Sequence, residues 1–339
     1  MERKVTMKNL LVGLATLMAT FATTVAPAAA EVKEVRLAKQ YGLGYLPLIV
    51  MEEQRLIEKH AKAAGLGDIK VTWATLGGGG AVNDALLSGS VDYISSGVAP
   101  LVVLWGKSNG AVKGVSALIS TPNLLNTNNP AVKSIRDFTD RDRIALPTAK
   151  VSIQAIILQM AAAKEFGQGN YAKLDKLTVT MKHPDGMAAL LSGKSEITGH
   201  LTSPPFMFQE LDNKRVRTVL NSYDVLGGPH TFNVITTTKR FHDNNPKTYA
   251  AVFAALEEAI AYINKNKRAA AELYKKASKS KESLDDLIRE INQPTVAYTT
   301  TPSNVGKFAD FMYRTGTIKV KAKSWKDLFF SNVHGTKGS

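Results

Sequence analysis

Ala85-Leu-Leu-Ser-Gly89 is followed by Ser90-Val91-Asp92, and 104 residues later Ala189-Leu-Leu-Ser-Gly193 is followed by Lys194-Ser195-Glu196. Each stretch reads as a helix end, a glycine to cap it, and an acidic residue that opens a strand. The correspondence extends in both directions. Gly77-Gly-Gly-Gly80 precedes the first helix and His183-Pro-Asp-Gly186 the second. Ser95-Ser96-Gly97-Val98-Ala99-Pro100 follows the first strand and Gly199-His200-Leu201-Thr202-Ser203-Pro204 the second. One repeat of this size is not a solenoid. It predicts two similar lobes, each with a strand running out into a polar loop. The bland alternative is coincidence of a five-residue helix-end pattern.

Around the first copy, short apolar strands alternate with helical stretches. Val35 to Ala38, Lys70 to Ala74 and Asp92 to Ile94 read as strands. Leu46 to Ala63 reads as one helix with Leu48, Ile49, Leu56 and Ile57 on its apolar face, and Ala81 to Leu87 as another that stops at Gly89. This rhythm predicts an α/β fold in which helices flank mostly parallel sheets. Thr121 to Pro130, with its prolines and asparagines, reads as a crossing or turn region rather than core. Tyr223 to His230 reads as the return, before the strand Phe232 to Thr236. The expected division is 31–122 with 232–339 in lobe 1 and 123–231 in lobe 2. Helices over Lys247 to Lys276 and Asn304 to Tyr313 complete lobe 1. Two crossings make a hinge, with a cleft between the lobes.

The N-terminus reads as a secretory signal. Arg3, Lys4 and Lys8 are its basic region, Leu10 to Val25 its short apolar region, and Pro27-Ala-Ala-Ala30 its small-residue cleavage site, so 1–30 is expected to be removed. A membrane anchor is the weaker reading, because a spanning helix needs about 20 apolar residues. There is no cysteine. The chain therefore has no disulfide, thiol nucleophile, cysteine-based metal site or lipid-anchor cysteine. A soluble exported protein without an anchor needs a compartment to hold it, which points to a periplasm. The net charge of +14 is scattered, as along Lys265 to Lys281, and reads as solvated helix faces rather than a nucleic-acid patch.

Further pieces complete the pattern: Tyr41-Gly-Leu-Gly-Tyr45, Gly89-Ser-Val-Asp-Tyr93 with Ser95-Ser-Gly97, Ile135-Arg-Asp-Phe138 before Arg143-Ile-Ala-Leu-Pro147, and Gly193-Lys-Ser-Glu196 with Ser203-Pro-Pro205. In order and spacing the chain resembles the nitrate, taurine and alkanesulfonate substrate-binding proteins of ABC importers. The likeness runs over essentially all of the mature chain, although each motif is short. It implies a two-lobed type II periplasmic-binding-protein fold, a monomer that binds a small-molecule ligand, and partnership with an ABC permease and its ATPase. The motifs do not identify the ligand.

In an open α/β lobe, ligands bind beyond the carboxyl ends of the strands. Five loops qualify. Tyr41, Leu43, Gly44 and Tyr45 offer close backbone approach and aromatic faces; a glycine turn with surface tyrosines is the plainer reading. Gly78 and Gly79 leave amides free at a helix start, without the Gly-Lys-Ser/Thr ending of a nucleotide loop. Ser95, Ser96 and Gly97 end the strand of the repeat. Thr148 and Ser152 lie where a strand meets a helix over Ile153 to Glu165, and either could be its N-cap. His200 and Ser203 close the set, His200 as a donor to an anion or as a structural histidine. No catalytic constellation emerges. A triad drawn from Ser203, His230 and Asp224 lacks a nucleophile elbow, and relatives of this fold that make a thiamine pyrimidine carry a cysteine-rich motif that is absent here. The expectation is a non-enzymatic binding protein without cofactor or metal, for a sulfonate, nitrate-like oxyanion or carboxylate. A neutral heterocycle such as a thiamine-pyrimidine precursor, stacked on Tyr41 or Tyr45, is the alternative, with enzyme and sensor roles behind it.

Overall fold

A computed structural model of the protein describes residues 30–339. The secretory-signal expectation rests on residues 1–30, of which 1–29 lie outside the described residues.

The first part of the chain runs β1 (Glu34–Lys39), α1 (Leu46–Glu53), α2 (Leu56–Ala63), β2 (Lys70–Thr75), α3 (Gly79–Leu87), β3 (Tyr93–Gly97), α4 (Val98–Lys107) and β4 (Val112–Ser120). Next come β5 (Leu124–Thr127), β6 (Arg143–Leu146), α5 (Ile153–Phe166), β7 (Thr178–Thr180), α6 (His183–Ser192), β8 (Ile197–Thr202), α7 (Phe206–Leu211), β9 (Arg217–Asn221) and α8 (Ser222–Leu226). The chain then returns through β10 (Thr231–Thr238), α9 (Lys239–Asn244), α10 (Pro246–Lys265), α11 (Lys267–Ser278), α12 (Leu284–Ile291), β11 (Ala297–Tyr298) and α13 (Val305–Arg314). A six-stranded sheet has the order β11-β4-β10-β3-β1-β2, and a five-stranded sheet the order β7-β6-β8-β5-β9. Each sheet, with its helices, is one lobe.

The repeat is structural. α3 and α6 end on Gly89 (φ +72°) and Gly193 (φ +63°), and β3 and β8 follow them. Only glycine adopts this left-handed conformation without a steric penalty, which explains why both helix ends carry it.

Both sheets are mixed rather than mostly parallel. β1 pairs in parallel with β2 and β3, but β10 is antiparallel to β3 and β4. In the second sheet β6 is parallel to β7 and β8, while β5 is antiparallel to β8 and β9. The crossings dictate this. β5 and β10 each enter their sheet from the end where neighbouring strands run out: Leu124 lies opposite Thr202, and Asn233 opposite Gly97. They must therefore run the other way.

Two more expectations are corrected. The helix expected over Leu46 to Ala63 is two helices, broken where Arg55 takes φ +52°. The stretch expected as a crossing, Thr121 to Pro130, contains β5, whose Leu125, Asn126 and Thr127 are wholly buried. Asparagine misled because its amide is usually a turn signal. Here Asn126 donates to the Met207 carbonyl (3.0 Å) and to Glu210 (2.9 Å), so it is satisfied inside the lobe. In α11 the sequence pattern holds: Ala270, Ala271 and Tyr274 are buried and the last-turn Lys275 and Lys276 lie outside that face.

Candidate functional site

Four helices from the two lobes begin at one place. Gly79 is the first residue of α3, Gly97 is the N-cap of α4, Ser152 the N-cap of α5, and His183 the first residue of α6. All four residues line a narrow void of about 20 Å³ between the sheets, together with Gln40, Tyr45, Gln154 and Phe232. A helix start carries unpaired amides and the positive end of the macrodipole. The void is therefore surrounded by partial positive charge from both lobes. At this size it holds no more than a water molecule, and the lobes are closed on each other.

The glycine loops make that closure possible. The Gly80 amide donates to the Thr148 hydroxyl at 3.3 Å, and a Cβ on Gly78 would stand 2.5 Å from the Pro147 carbonyl oxygen. The Leu43 amide donates to the Pro204 carbonyl at 3.0 Å, and a Cβ on Gly42 would lie 2.9 Å from the same oxygen. A Cβ on Gly97 would meet Ile153 at 2.6 Å. Backbone from one lobe thus approaches the other where a side chain would prevent it.

The void adjoins, through Gln40, a larger chamber of about 580 Å³. Tyr41 (37% exposed), Gly42, Phe206, Gln209 and Tyr274 line it, and the 277–282 segment closes one side. Lys39 and Glu52 pair on its wall. This volume is typical of a small-molecule pocket.

The expected residues divide between these spaces and the core. Tyr41 lines the outer chamber; Tyr45, Gly79, Gly97 and Ser152 line the void. Leu43 is a core residue, and its carbonyl accepts from the Tyr298 hydroxyl at 3.1 Å. Gly44 sits where a Cβ would meet the Asn233 amide nitrogen at 2.6 Å. Ser95 and Ser96 are wholly buried at the end of β3, and the Ser95 hydroxyl has no partner. Ser152 caps α5 by accepting from the Ala155 amide at 3.2 Å, so its capping role is real. Ser203 is 1% exposed, and its carbonyl accepts from the Met207 amide.

His200 does not reach the cleft. Its Nδ1 pairs with Glu210 at 2.5 Å and its Nε2 with His183 Nδ1 at 2.9 Å, and the ring is wholly buried. Both ring nitrogens are therefore occupied within the lobe. The histidine that borders the void is His183, whose Nε2 lies 3.2 Å from the Gln154 amide. Burial first, and then neighbouring His200, push the His183 pKa well below the ordinary histidine range. His230 is also structural: its Nε2 meets the Ser222 hydroxyl at 2.8 Å and its Nδ1 donates to the Thr231 carbonyl at 2.9 Å.

Sequence reasoning missed Gln40, Gln154, His183, Phe206 and the 277–282 segment. His183 was within reach, since it occupies in the second copy of the repeat the place that Gly79 holds in the first. The 277–282 segment was not, because it is far along the chain and only packing brings it to the chamber. Among the described residues no group of three or more histidines or carboxylates is arranged to hold a metal ion.

The NMT1-like family matches residues 28–278 of the chain. No curated protein matches it. Solved structures do. The alkanesulfonate-binding protein SsuA of Xanthomonas axonopodis pv. citri, bound to MOPS, is 17% identical with a TM-score of 0.69, over 87% of this chain and 97% of that one. The nitrate-binding protein NrtA of Synechocystis PCC 6803 is 17% identical with a TM-score of 0.69, over 88% of this chain and 85% of that one. The aliphatic sulphonate binding protein SsuA of Escherichia coli is 16% identical with a TM-score of 0.63, over 89% and 93%. At this identity the likeness is one of fold.

Proposed function

The chain belongs to the NMT1-like family, and from that premise we propose that it is the periplasmic solute-binding component of an ABC import system, capturing a small anion between its lobes for delivery to a permease. It is a binding protein and not an enzyme. The observation that carries the anion reading is the meeting of four helix starts, two from each lobe, on one closed void. Separated lobes would expose those amides, and an anion bound among them would bridge and close the lobes. Similar structures bind a sulfonate or nitrate according to their names, which supports the same chemistry here.

The ligand-contacting set we propose is the void and its rim: Tyr45, Gly79, Gly97, Thr148 and Ser152 from the expected residues, with Gln40, Gln154 and His183 added. Residues 123–231 are the moving lobe and the two crossings are the hinge. Export through a cleaved signal at 1–30, and a monomeric state, belong to the same proposal.

The second reading, a neutral heterocycle, is favoured by the outer chamber, where Tyr41 offers an exposed aromatic face. A thermal-shift screen separates the two. A ligand at a hundredfold excess over its Kd stabilises by about 2.7 kcal/mol. Response to sulfonates, nitrate or carboxylates supports the anion reading; response to pyrimidines alone reverses it.

A further inference from the structure

We propose that Glu210, His200 and His183 form a proton-linked relay, and that its direction decides whether the cleft presents an acceptor or a donor to the ligand. The inference deepens the anion reading and rests on it for the ligand's position, though not for the relay itself.

The relay is a continuous line of buried polar contacts. Glu210 and His200 are wholly buried and His183 is 7% exposed. One Glu210 oxygen accepts from the Asn126 amide at 2.9 Å and the other meets His200 Nδ1 at 2.5 Å. Asn126 is fixed in turn, because its carbonyl oxygen accepts from the Thr218 hydroxyl at 2.7 Å. His200 Nε2 meets His183 Nδ1 at 2.9 Å, and His183 Nε2 meets the Gln154 amide nitrogen at 3.2 Å at the void. The Thr202 hydroxyl lies 3.1 Å from His183 Nδ1. Gly186 makes room for the line, since a Cβ there would stand 2.8 Å from His200 Nε2.

The hydrogens follow from one end. An ionised Glu210 only accepts, so His200 carries its proton on Nδ1. With both rings neutral, His200 Nε2 accepts from His183 Nδ1–H. His183 then turns a lone pair on Nε2 toward the cleft, and Gln154 donates to it. One further proton reverses the line. His200 becomes an imidazolium beside the Glu210 carboxylate, donates from Nε2 to His183, and leaves His183 with Nε2–H facing the cleft. An anion at His183 requires this second state, so its capture takes up one proton. A ligand that itself donates uses the first state and takes up none. The Gln154 amide nitrogen, a donor only, faces His183 Nε2 at 3.2 Å and so needs an acceptor there, which assigns the neutral relay to the ligand-free protein.

The surrounding charges leave this logic intact. On its own helix Lys182 and Asp185 pair with each other at 3.5 Å and are exposed. On β8 and α7 the titratable groups are His200 and Glu210 themselves. α5 contributes the uncharged Gln154, and the Phe206 ring lies 5.6 Å from the His183 ring. Across the cleft the void is lined by uncharged Gln40 and Tyr45, while Lys39, Glu52, Glu53, Lys279, Lys281 and Glu282 belong to the adjoining chamber.

His200 and Glu210 are positioning residues, and the test reads proton location. Long-range 1H–15N spectra of the ligand-free protein at pH 7.5 should show His183 and His200 both protonated on Nδ1. In Glu210→Gln the amide donates to His200 Nδ1, and both rings should switch to the Nε2–H form. His183 found as Nε2–H in the wild type, or unmoved in a folded Glu210→Gln, overturns the relay. The wild-type spectrum decides even if the variant does not fold. Calorimetry with nitrate and with ethanesulfonate, in buffers of different ionisation enthalpy, should then show uptake of about one proton per anion. Anion affinity should fall about tenfold per pH unit in that range. Binding with zero uptake overturns the relay and leaves the anion reading intact. Binding of neither probe counts against the anion reading, with the ligand-free spectra still deciding the relay.

Discussion

The Gly80 amide donates to the Thr148 hydroxyl at 3.3 Å, joining the helix start of one lobe to a strand-end loop of the other. Thr148 is not the cap of α5, a role filled by Ser152; in this closed arrangement its hydroxyl oxygen accepts across the cleft. Thr148→Val keeps the shape and removes this bond. A neutral hydrogen bond contributes about 1 kcal/mol, so the ratio of open to closed protein should rise about fivefold with the melting temperature little changed. Small-angle scattering of the ligand-free variant should show a larger radius of gyration than wild type.

Gly78→Ala tests closure more severely. Gly78 has an extended backbone (φ −177°), which any residue adopts, so no strain arises within its own lobe. Its new Cβ would stand 2.5 Å from the Pro147 oxygen when the lobes meet. The variant should fold as stably as wild type, stay open, and bind about tenfold or more weakly, because the lobes can no longer draw together around a ligand. Calorimetry with the ligand identified by the screen checks the affinity, and unchanged affinity would mean that binding does not need this closure.

Ser152→Ala should act differently. It removes the acceptor for the Ala155 amide at the start of α5 and should cost about 1 kcal/mol of stability. Urea denaturation reads that loss.

His230 predicts an acid limb. Burial, partly opposed by the bond to Thr231, pushes its pKa down to about 4. The folded value lies below the unfolded one near 6.5, so the unfolded chain binds the extra proton between them. Stability contributed by neutral His230 is present above pH 6.5 and lost as pH falls toward 4, by about 3 kcal/mol. His230→Asn should flatten that part of the stability–pH curve relative to wild type, whatever its absolute stability.

Glu290 predicts the opposite slope. Burial, then repulsion from Glu282, pushes its pKa up, and its Oε2 has no hydrogen-bond partner. The folded protein holds a proton that the unfolded chain releases. Stability is therefore full below the ordinary carboxyl range and falls as pH rises through the folded value. Glu290→Gln keeps the shape without the charge, and should be more stable than wild type at pH 8 and no less stable at pH 4.5. Chemical denaturation at the two pH values measures both.

The sequence by itself determined the two-lobed plan, because the plan rests on local signals. Glycine closes α3 at Gly89 and α6 at Gly193, where both helix ends turn left-handed and glycine does so at the least steric cost. The period of apolar residues set most strands and helices for the same local reason. Pairing direction and side-chain partnership are non-local, and the tertiary structure decided them. β5 and β10 run antiparallel because the chain enters each sheet from the cleft, and Asn126 is a buried strand residue because Met207 and Glu210 satisfy its amide. His200 and His183 differ by nothing in composition. Packing turned His200 toward Glu210, while His183 keeps the helix-start place that the repeat gives it, because a ring with two nitrogens takes its role from whatever lies within hydrogen-bond reach of each.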